Sequence, residues 1–228
     1  MRSATLPLIS SKTQKHGAPN FDKLARVYRW MEYLSFGPAM SRCRTEFLAD
    51  LAHCRNALVI GDGDGRFTAR LLETNPAIAI RAIDLSPAML RALVHRAGKS
   101  ASRVRTEVAE ARDWQPANSE PYDLVVTHFF LDCLTTAEVR SLAEKIRSAS
   151  APNALWVVSD FAVPRSFFGR IVARPLVLAL YIAFGLLTGI SVRTLPDHAS
   201  ALTEAGFRLA RRQTRLCGLL VSELWTNG

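Results

Sequence analysis

Glycine alternates with aspartate in Gly61-Asp62-Gly63-Asp64-Gly65, directly after the apolar run Ala57 to Ile60. Glycine accepts backbone angles that other residues resist, and its missing Cβ lets a ligand lie against the chain. A second apolar run, Ile78 to Ile83, ends in Asp84, about 20 residues beyond the loop. A carboxylate at the tip of the second strand of an open α/β sheet is placed to accept hydrogen bonds from both hydroxyls of a ribose. Loop and acid together point to an adenosine-containing ligand. A third chemical candidate is His128, which closes the run Tyr122 to His128 and carries a group that titrates near neutrality. One expectation makes it a general base, with Asp132 and Asp160 orienting it or binding the reacting partner. The other makes it a strand-end histidine bonded to backbone, with Asp132 capping the next helix.

The loop spacing separates ligand classes. Dinucleotide sites use G-x-G-x-x-G, whereas this chain has Arg66 at the last glycine position. Asp62 and Asp64 would also repel a diphosphate. A sulfonium compound with an amino-acid tail meets no such conflict. A nicotinamide-dependent oxidoreductase is therefore a weaker alternative, and a non-catalytic cofactor-binding partner protein is another.

These residues need a scaffold that lines up strand ends. Apolar runs at 56–61, 78–84, 103–108, 122–128 and 154–160 read as strands, with helices at 65–75, 87–97 and 135–149 between them. Such alternation implies an α/β fold, a mostly parallel sheet with helices on both faces. Thr135-Thr136-Ala137-Glu138 reads as a capping box, and Ala151-Pro152-Asn153 as a turn. Phe207 to Arg215 and Leu216 to Thr226 read as two last strands. Amphipathic helices at about 21–35 and 39–53 precede the first strand. The domain plan is a flexible leader at 1–19, lid helices at 20–54, and a core at 55–228 with an apolar insertion at about 165–200.

In this order the residues resemble the class I S-adenosylmethionine-dependent methyltransferases, which implies a Rossmann-like sheet that closes with two final strands, one of them antiparallel. Gly61 to Gly65 resembles the family's first motif, and Ala82 to Leu90 its ribose-binding second-strand end. Val108-Ala109-Glu110-Ala111 is similar to the acidic stretch that approaches the adenine amine. Tyr122 to His128 is similar to the fourth strand, whose end faces the methyl group. Phe21 to Tyr28 resembles the lid start of the ubiquinone/menaquinone-type methyltransferases. The resemblance implies S-adenosylmethionine as cofactor, held by Tyr28, Gly61, Asp62, Gly63, Gly65, Asp84, Leu85, Met89, Glu110, Ala111 and Thr127. It also implies methyl transfer to a small acceptor. One departure is Val59, where family members often carry an acid that helps to hold the amino-acid end; Asp62 is the substitute within the loop.

Composition narrows the setting. Hydrophobic residues make up 49% of the 228 residues, enough for a full core. The four cysteines, Cys43, Cys54, Cys133 and Cys217, form no C-x-x-C pair and no histidine stands at ligand spacing. Neither a metal site nor a disulfide framework is expected, and a reducing cytoplasm is the simplest location. The net charge of +9 is concentrated at Arg91–Arg105 and Arg208–Arg215. No nucleic-acid module and no interleaved aromatics accompany it, so nucleic acid is not an expected partner. Pro175 to Ile190 holds no charged residue. As a helix its sixteen residues reach about 24 Å, short of the roughly 30 Å hydrocarbon layer. The run reads either as a helix buried on the sheet or in a homodimer interface, or as a greasy cap over an apolar or lipid-like acceptor. In the second reading it touches the inner face of a membrane peripherally.

Overall fold

The computed structural model describes residues 37–116, 120–162 and 195–228. Tyr28, the leader, the first lid helix and most of the apolar insertion lie outside the described residues.

Seven strands form one sheet: β1 Asn56–Ile60, β2 Ala79–Asp84, β3 Val104–Val108, β4 Tyr122–His128, β5 Ser150–Phe161, β6 Phe207–Arg215 and β7 Leu220–Asn227. Their order is β3-β2-β1-β4-β5-β7-β6. The first five pair in parallel, and β7 runs antiparallel to both β5 and β6. The helices are α1 Gly37–Arg44, α2 Arg66–Thr74, α3 Pro87–Ala97, α4 Thr136–Ala149 and α5 His198–Glu204. The expected α/β class, the parallel core and the antiparallel closing strand are all present. A dinucleotide enzyme has the order 3-2-1-4-5-6, with no strand inserted between the last two. The nicotinamide alternative therefore does not fit this sheet.

Apolar residues cover both faces of the central strands because helices flank both. Leu58, Ile60, Val125, Trp156 and Val158 pack on one side with Val139, Leu142 and Ile146 of α4 and Leu202 of α5. Ala57, Val59, Leu124, Val126 and Val157 pack on the other with Phe67, Leu71, Leu90 and Leu93 of α2 and α3. Side chains alternate between faces with period two. That alternation decides which strand-end groups can cooperate.

Local chemistry sets the element ends. Thr135 and Glu138 form the capping box of α4, as the spacing predicts. Ser86 accepts from Met89 N–H, and Pro87 opens α3. The stretch expected as one helix at 39–53 is instead α1, a turn, and a short 3-10 turn at Leu48–Leu51. The cause lies at Cys43. Its carbonyl accepts from the hydroxyls of Ser159, at 3.2 Å, and Ser222, at 2.8 Å, and keeps only a long 3.4 Å bond from Glu46 N–H, three residues on rather than four. The turn expected at Ala151-Pro152-Asn153 is absorbed into β5, which begins four residues early. Asn153 has φ 60, and the register with β4 shifts between Tyr122 and Leu124. Leu216, Cys217 and Gly218 turn through positive φ, so β7 begins only at Leu220.

The basic run at 208–215 is largely consumed within the fold. Arg211 pairs with Asp50, Arg215 with Glu46 and Arg212 with Glu223, tying edge strand β6 to the rest of the molecule. No helix among the described residues is long and apolar enough to cross a membrane.

Candidate active site

The strand order reverses between β1, which leads on to β2 and β3, and β4, which leads on to β5. Ligands of open α/β sheets bind in the crevice at the carboxyl ends of strands at such a point. The glycine loop lies there, and its three glycines do different work. A Cβ on Gly61 would stand 2.6 Å from Cδ2 of Phe130, and φ is 72. A Cβ on Gly65 would stand 2.7 Å from the Leu93 backbone of α3, so this glycine permits helix packing and does not face a ligand. A Cβ on Gly63 would meet nothing within 4 Å, at φ 58. Gly63 is the position with an open cradle.

Both loop acids are engaged. Asp62 accepts from Thr68 N–H at 2.9 Å, which satisfies a free amide in the first turn of α2. Burial pushes its carboxyl above the ordinary carboxylate range. Asp64 pairs with Arg96 at 2.8 Å and Arg66 at 3.3 Å. Its charge is locally balanced, which corrects the expectation that two open carboxylates repel a diphosphate; the sheet order makes that discrimination instead.

Asp84 closes β2 beside the cradle. Its carboxylate accepts from Ser86 N–H at 2.8 Å, and the amides of Gly63 and Leu85 also face it. Burial raises it to about 6, and the nearby Asp62 adds to the rise. Leu85 is 44% exposed and Val108, the partner of Asp84 across β2–β3, is 56% exposed. Two bare aliphatic side chains thus flank Asp84. Leu85 was expected; Val108 was not, because its exposure depends on β3 being an edge strand. Met89 lies half-buried in the first turn of α3, its amide on Ser86. Glu110 bonds Arg112 at 2.9 Å, and Arg112 also holds Glu138.

Two expected cofactor contacts are core groups. Ala111 packs its methyl beside Trp114 in the α4-side core. Thr127 is 1% exposed, and its hydroxyl accepts from the Trp156 indole at 3.0 Å, away from the loop. The alternation of β4 turns Thr127 to the α4 face and His128 to the α2 face.

His128 is 2% exposed, and among the described residues neither ring nitrogen has a hydrogen-bond partner. Its ring meets the Phe67 ring edge-on at 4.5 Å. Burial, then the charge of Arg44, hold its pKa well below the ordinary histidine value. The imidazole is thus built to stay neutral. Asp132 and Asp160 do not orient it. Asp160 accepts from Asp132 N–H at 3.2 Å and from Phe161 N–H at 2.8 Å. Burial and the Asp132 charge raise the Asp160 carboxyl well above its usual range. This pair lies on the α4 face, opposite His128. His198, at the start of α5, is only 14% exposed and bonds the buried Glu223 at 3.0 Å. Burial alone would raise Glu223, yet His198, Trp225 and Arg212 bring it below its ordinary value. Among the described residues no group of three metal-ligating side chains converges.

This sheet order, with a glycine loop at its reversal point and an acid at the end of β2, resembles that of the class I S-adenosylmethionine-dependent methyltransferases. Residues 58–156 match the family described as "Methyltransferase domain". Malonyl-[acyl-carrier protein] O-methyltransferase from Paenibacillus sp. (strain JDR-2) is 28% identical over 155 residues, covering 66% of this chain. The chain spans about half, 54%, of that relative's length. Among solved structures, the mitomycin 7-O-methyltransferase MmcR superposes with TM-score 0.65 at 16% identity, over 91% of this chain and 60% of that one. The N-methyltransferase NodS from Bradyrhizobium japonicum WM9, in complex with S-adenosyl-L-homocysteine, gives 0.59 at 18%, over 82% and 87%. At such identities these two likenesses speak for the fold.

Proposed function

We propose that this protein transfers a methyl group from S-adenosylmethionine to a small acceptor. The observation that carries the reading is the open cradle at Gly63 beside Asp84, at the point where the sheet order reverses. The residues fit the cofactor. Asp84 would accept from the ribose hydroxyls, Leu85 and Val108 would flank the adenine, and Glu110 would approach its amine. When bound, the sulfonium supplies an activated methyl group for in-line displacement; the protein supplies alignment and desolvation.

The acceptor is proposed to be apolar or lipid-like in its body, on the strength of the charge-free run Pro175 to Ile190. Its reacting atom is proposed to be nucleophilic without help from a strong base. A buried imidazole that resists protonation is a poor proton acceptor, and the carboxyl pair that might support it lies across the sheet. A carboxylate needs no proton removed, and the relative named for malonyl-acyl carrier protein provides a precedent for an acyl acid. Self-association and peripheral membrane contact are further proposals tied to the same run.

Calorimetry with S-adenosyl-L-homocysteine against the nicotinamide cofactors tests the cofactor. Methyl-labelled S-adenosylmethionine with lipid extracts and acyl acids then tests the acceptor. Binding without turnover on any extract fraction would favour the non-catalytic partner reading; nicotinamide binding alone would refute the proposal.

A further inference from the structure

Apart from the two cores that sandwich the sheet, a smaller apolar cluster sits at the carboxyl ends of β4 and β5. Met40 and Cys43 of α1 pack there on Phe129, which follows β4, and on Leu220, which opens β7, with Phe161 of β5 against them. The Phe129 and Phe161 rings meet at 5.2 Å. We propose that this cluster seats the apolar body of the methyl acceptor, and that His128 beside it holds a carboxylate oxygen of that acceptor. The proposal rests on the methyl-transfer reading above and names its acceptor as an apolar carboxylic acid.

His128 is the sign of a ligand. Its ring is buried, and among the described residues both nitrogens lack a partner. Unpaired buried polar atoms are costly, so packing alone gives no reason for an imidazole rather than an apolar ring against Phe67. Burial, then the Arg44 charge, keep the ring neutral, and a neutral imidazole has one N–H to donate. A carboxylate accepts that bond. An ammonium has no lone pair to accept it, and the field that keeps a proton off the ring disfavours it as well. With one oxygen held, the other is free to attack. A C–O bond forms as the C–S bond of the sulfonium breaks, and the electron pair goes to sulfur. The products are a methyl ester and a neutral thioether, and no proton is released.

Backbone strain gathers at the same place. Among the described residues Phe129, Asn153, Leu216 and Cys217 are the non-glycine residues with positive φ. Asn153 lies in the irregular start of β5; the other three, at φ 52, 51 and 55, border the small cluster. Such conformations persist only where the surroundings enforce them, and they concentrate at ligand sites. Side chains alternate along a strand, so an extended Phe129 would turn away from His128. Its left-handed backbone instead lets the ring pack with Cys43, whose carbonyl is held by Ser159, the register partner of His128. Leu216 and Cys217 form the turn into β7. Ala162 N–H ties that turn to the end of β5 through the Leu219 carbonyl at 2.8 Å, and Leu216 stays 43% exposed. It supplies an aliphatic rim beside the cluster.

Decanoate and decylamine share an alkyl body and differ in the charge of the head group. Each is titrated by calorimetry into protein saturated with S-adenosyl-L-homocysteine, as wild type, His128→Leu, His128→Gln, Leu216→Ser and Leu209→Ser. Wild type should bind decanoate roughly tenfold more tightly than decylamine. His128→Leu should weaken decanoate roughly tenfold, and His128→Gln, which keeps a donor, should recover part of the loss. Leu216→Ser should weaken it about threefold to tenfold. Leu209→Ser, equally exposed but paired with Trp225 at the other end of β6, should change it less than about twofold. Both leucines are exposed, so neither variant puts folding in question. The His128 ring nitrogen resonances should shift on adding decanoate, a response that a merely structural histidine does not give. Decanoate that does not bind, that binds His128→Leu as tightly as wild type, or that decylamine matches overturns the proposal while the cofactor reading stands. Failure of the wild type to bind S-adenosyl-L-homocysteine removes the cofactor reading and this proposal with it.

Discussion

Cofactor affinity should fall as the solution is acidified, with Asp84 as the sensor. The Asp84 carboxyl titrates at about 6 in the unliganded protein because burial disfavours its charge. Ribose hydroxyls are donors, so the cofactor selects the ionised form. Only the ionised fraction is competent, and the apparent dissociation constant is the intrinsic one divided by that fraction. At pH 7 about nine-tenths of Asp84 is ionised and at pH 5 about one-tenth, so affinity should drop roughly tenfold between them. The sign for folding is opposite. A carboxyl raised in the fold stabilises the unliganded protein below its unfolded pKa, and that contribution is lost as pH rises toward about 6. Acidification therefore weakens the ligand without weakening the apoprotein through this group. Calorimetric titration with S-adenosyl-L-homocysteine from pH 5 to 8 measures the slope, and Asp84→Asn separates its source. The variant should bind more weakly at pH 7 and lose most of the slope. Asp62 is also raised by burial, so any slope that persists in the variant belongs there. Equal slopes in wild type and Asp84→Asn would refute the assignment of Asp84 to the ribose.

Gly63→Val should fold normally by circular dichroism yet fail to bind S-adenosyl-L-homocysteine, because its side chain enters open space that the cofactor needs. Gly65→Ala should instead lose about 2–4 kcal/mol in urea denaturation, since its Cβ meets the Leu93 backbone at a φ of 78. Thr127→Val should cost about 1–3 kcal/mol by orphaning the Trp156 indole while leaving cofactor affinity within twofold, about the opposite of a cofactor contact. His128→Phe should leave stability unchanged or raised, as no hydrogen bond of the fold is lost, while affinity for S-adenosyl-L-homocysteine drops; a stability loss above about 2 kcal/mol with normal affinity would return His128 to the fold.

Much of the scaffold is legible in the chain because hydrophobic period and punctuation agree. Ser86-Pro87 and Thr135 mark helix starts by side-chain capping, and β4 and β6 begin and end as their apolar and turn residues dictate. The break in the 39–53 stretch is not legible locally, because the hydroxyls that take the Cys43 carbonyl come from Ser159 and Ser222, far along the chain. The place of Asp84 at the end of β2 and of Gly63 in the turn after β1 is readable from motif spacing. Gly61 and Gly65 look like ligand glycines in the same motif, and only the nearness of Phe130 and Leu93 reveals them as packing glycines.

The reading of the catalytic groups turns on the period of two in β4 and β5. Thr127 and His128 are neighbours in sequence but occupy opposite faces, as do Ser159 and Asp160. In register His128 faces Ser159 across the β4–β5 pair, so the acid at 160 is out of its reach by one residue. A histidine that draws strength as a base normally has a carboxylate on its far nitrogen to stabilise the imidazolium. Here the adjacent charge is Arg44, which acts in the other direction. Arg44→Met should therefore raise the His128 pKa. NMR titration of the imidazole reads it, and a His128 pKa unmoved in the variant would place the Arg44 charge away from the ring.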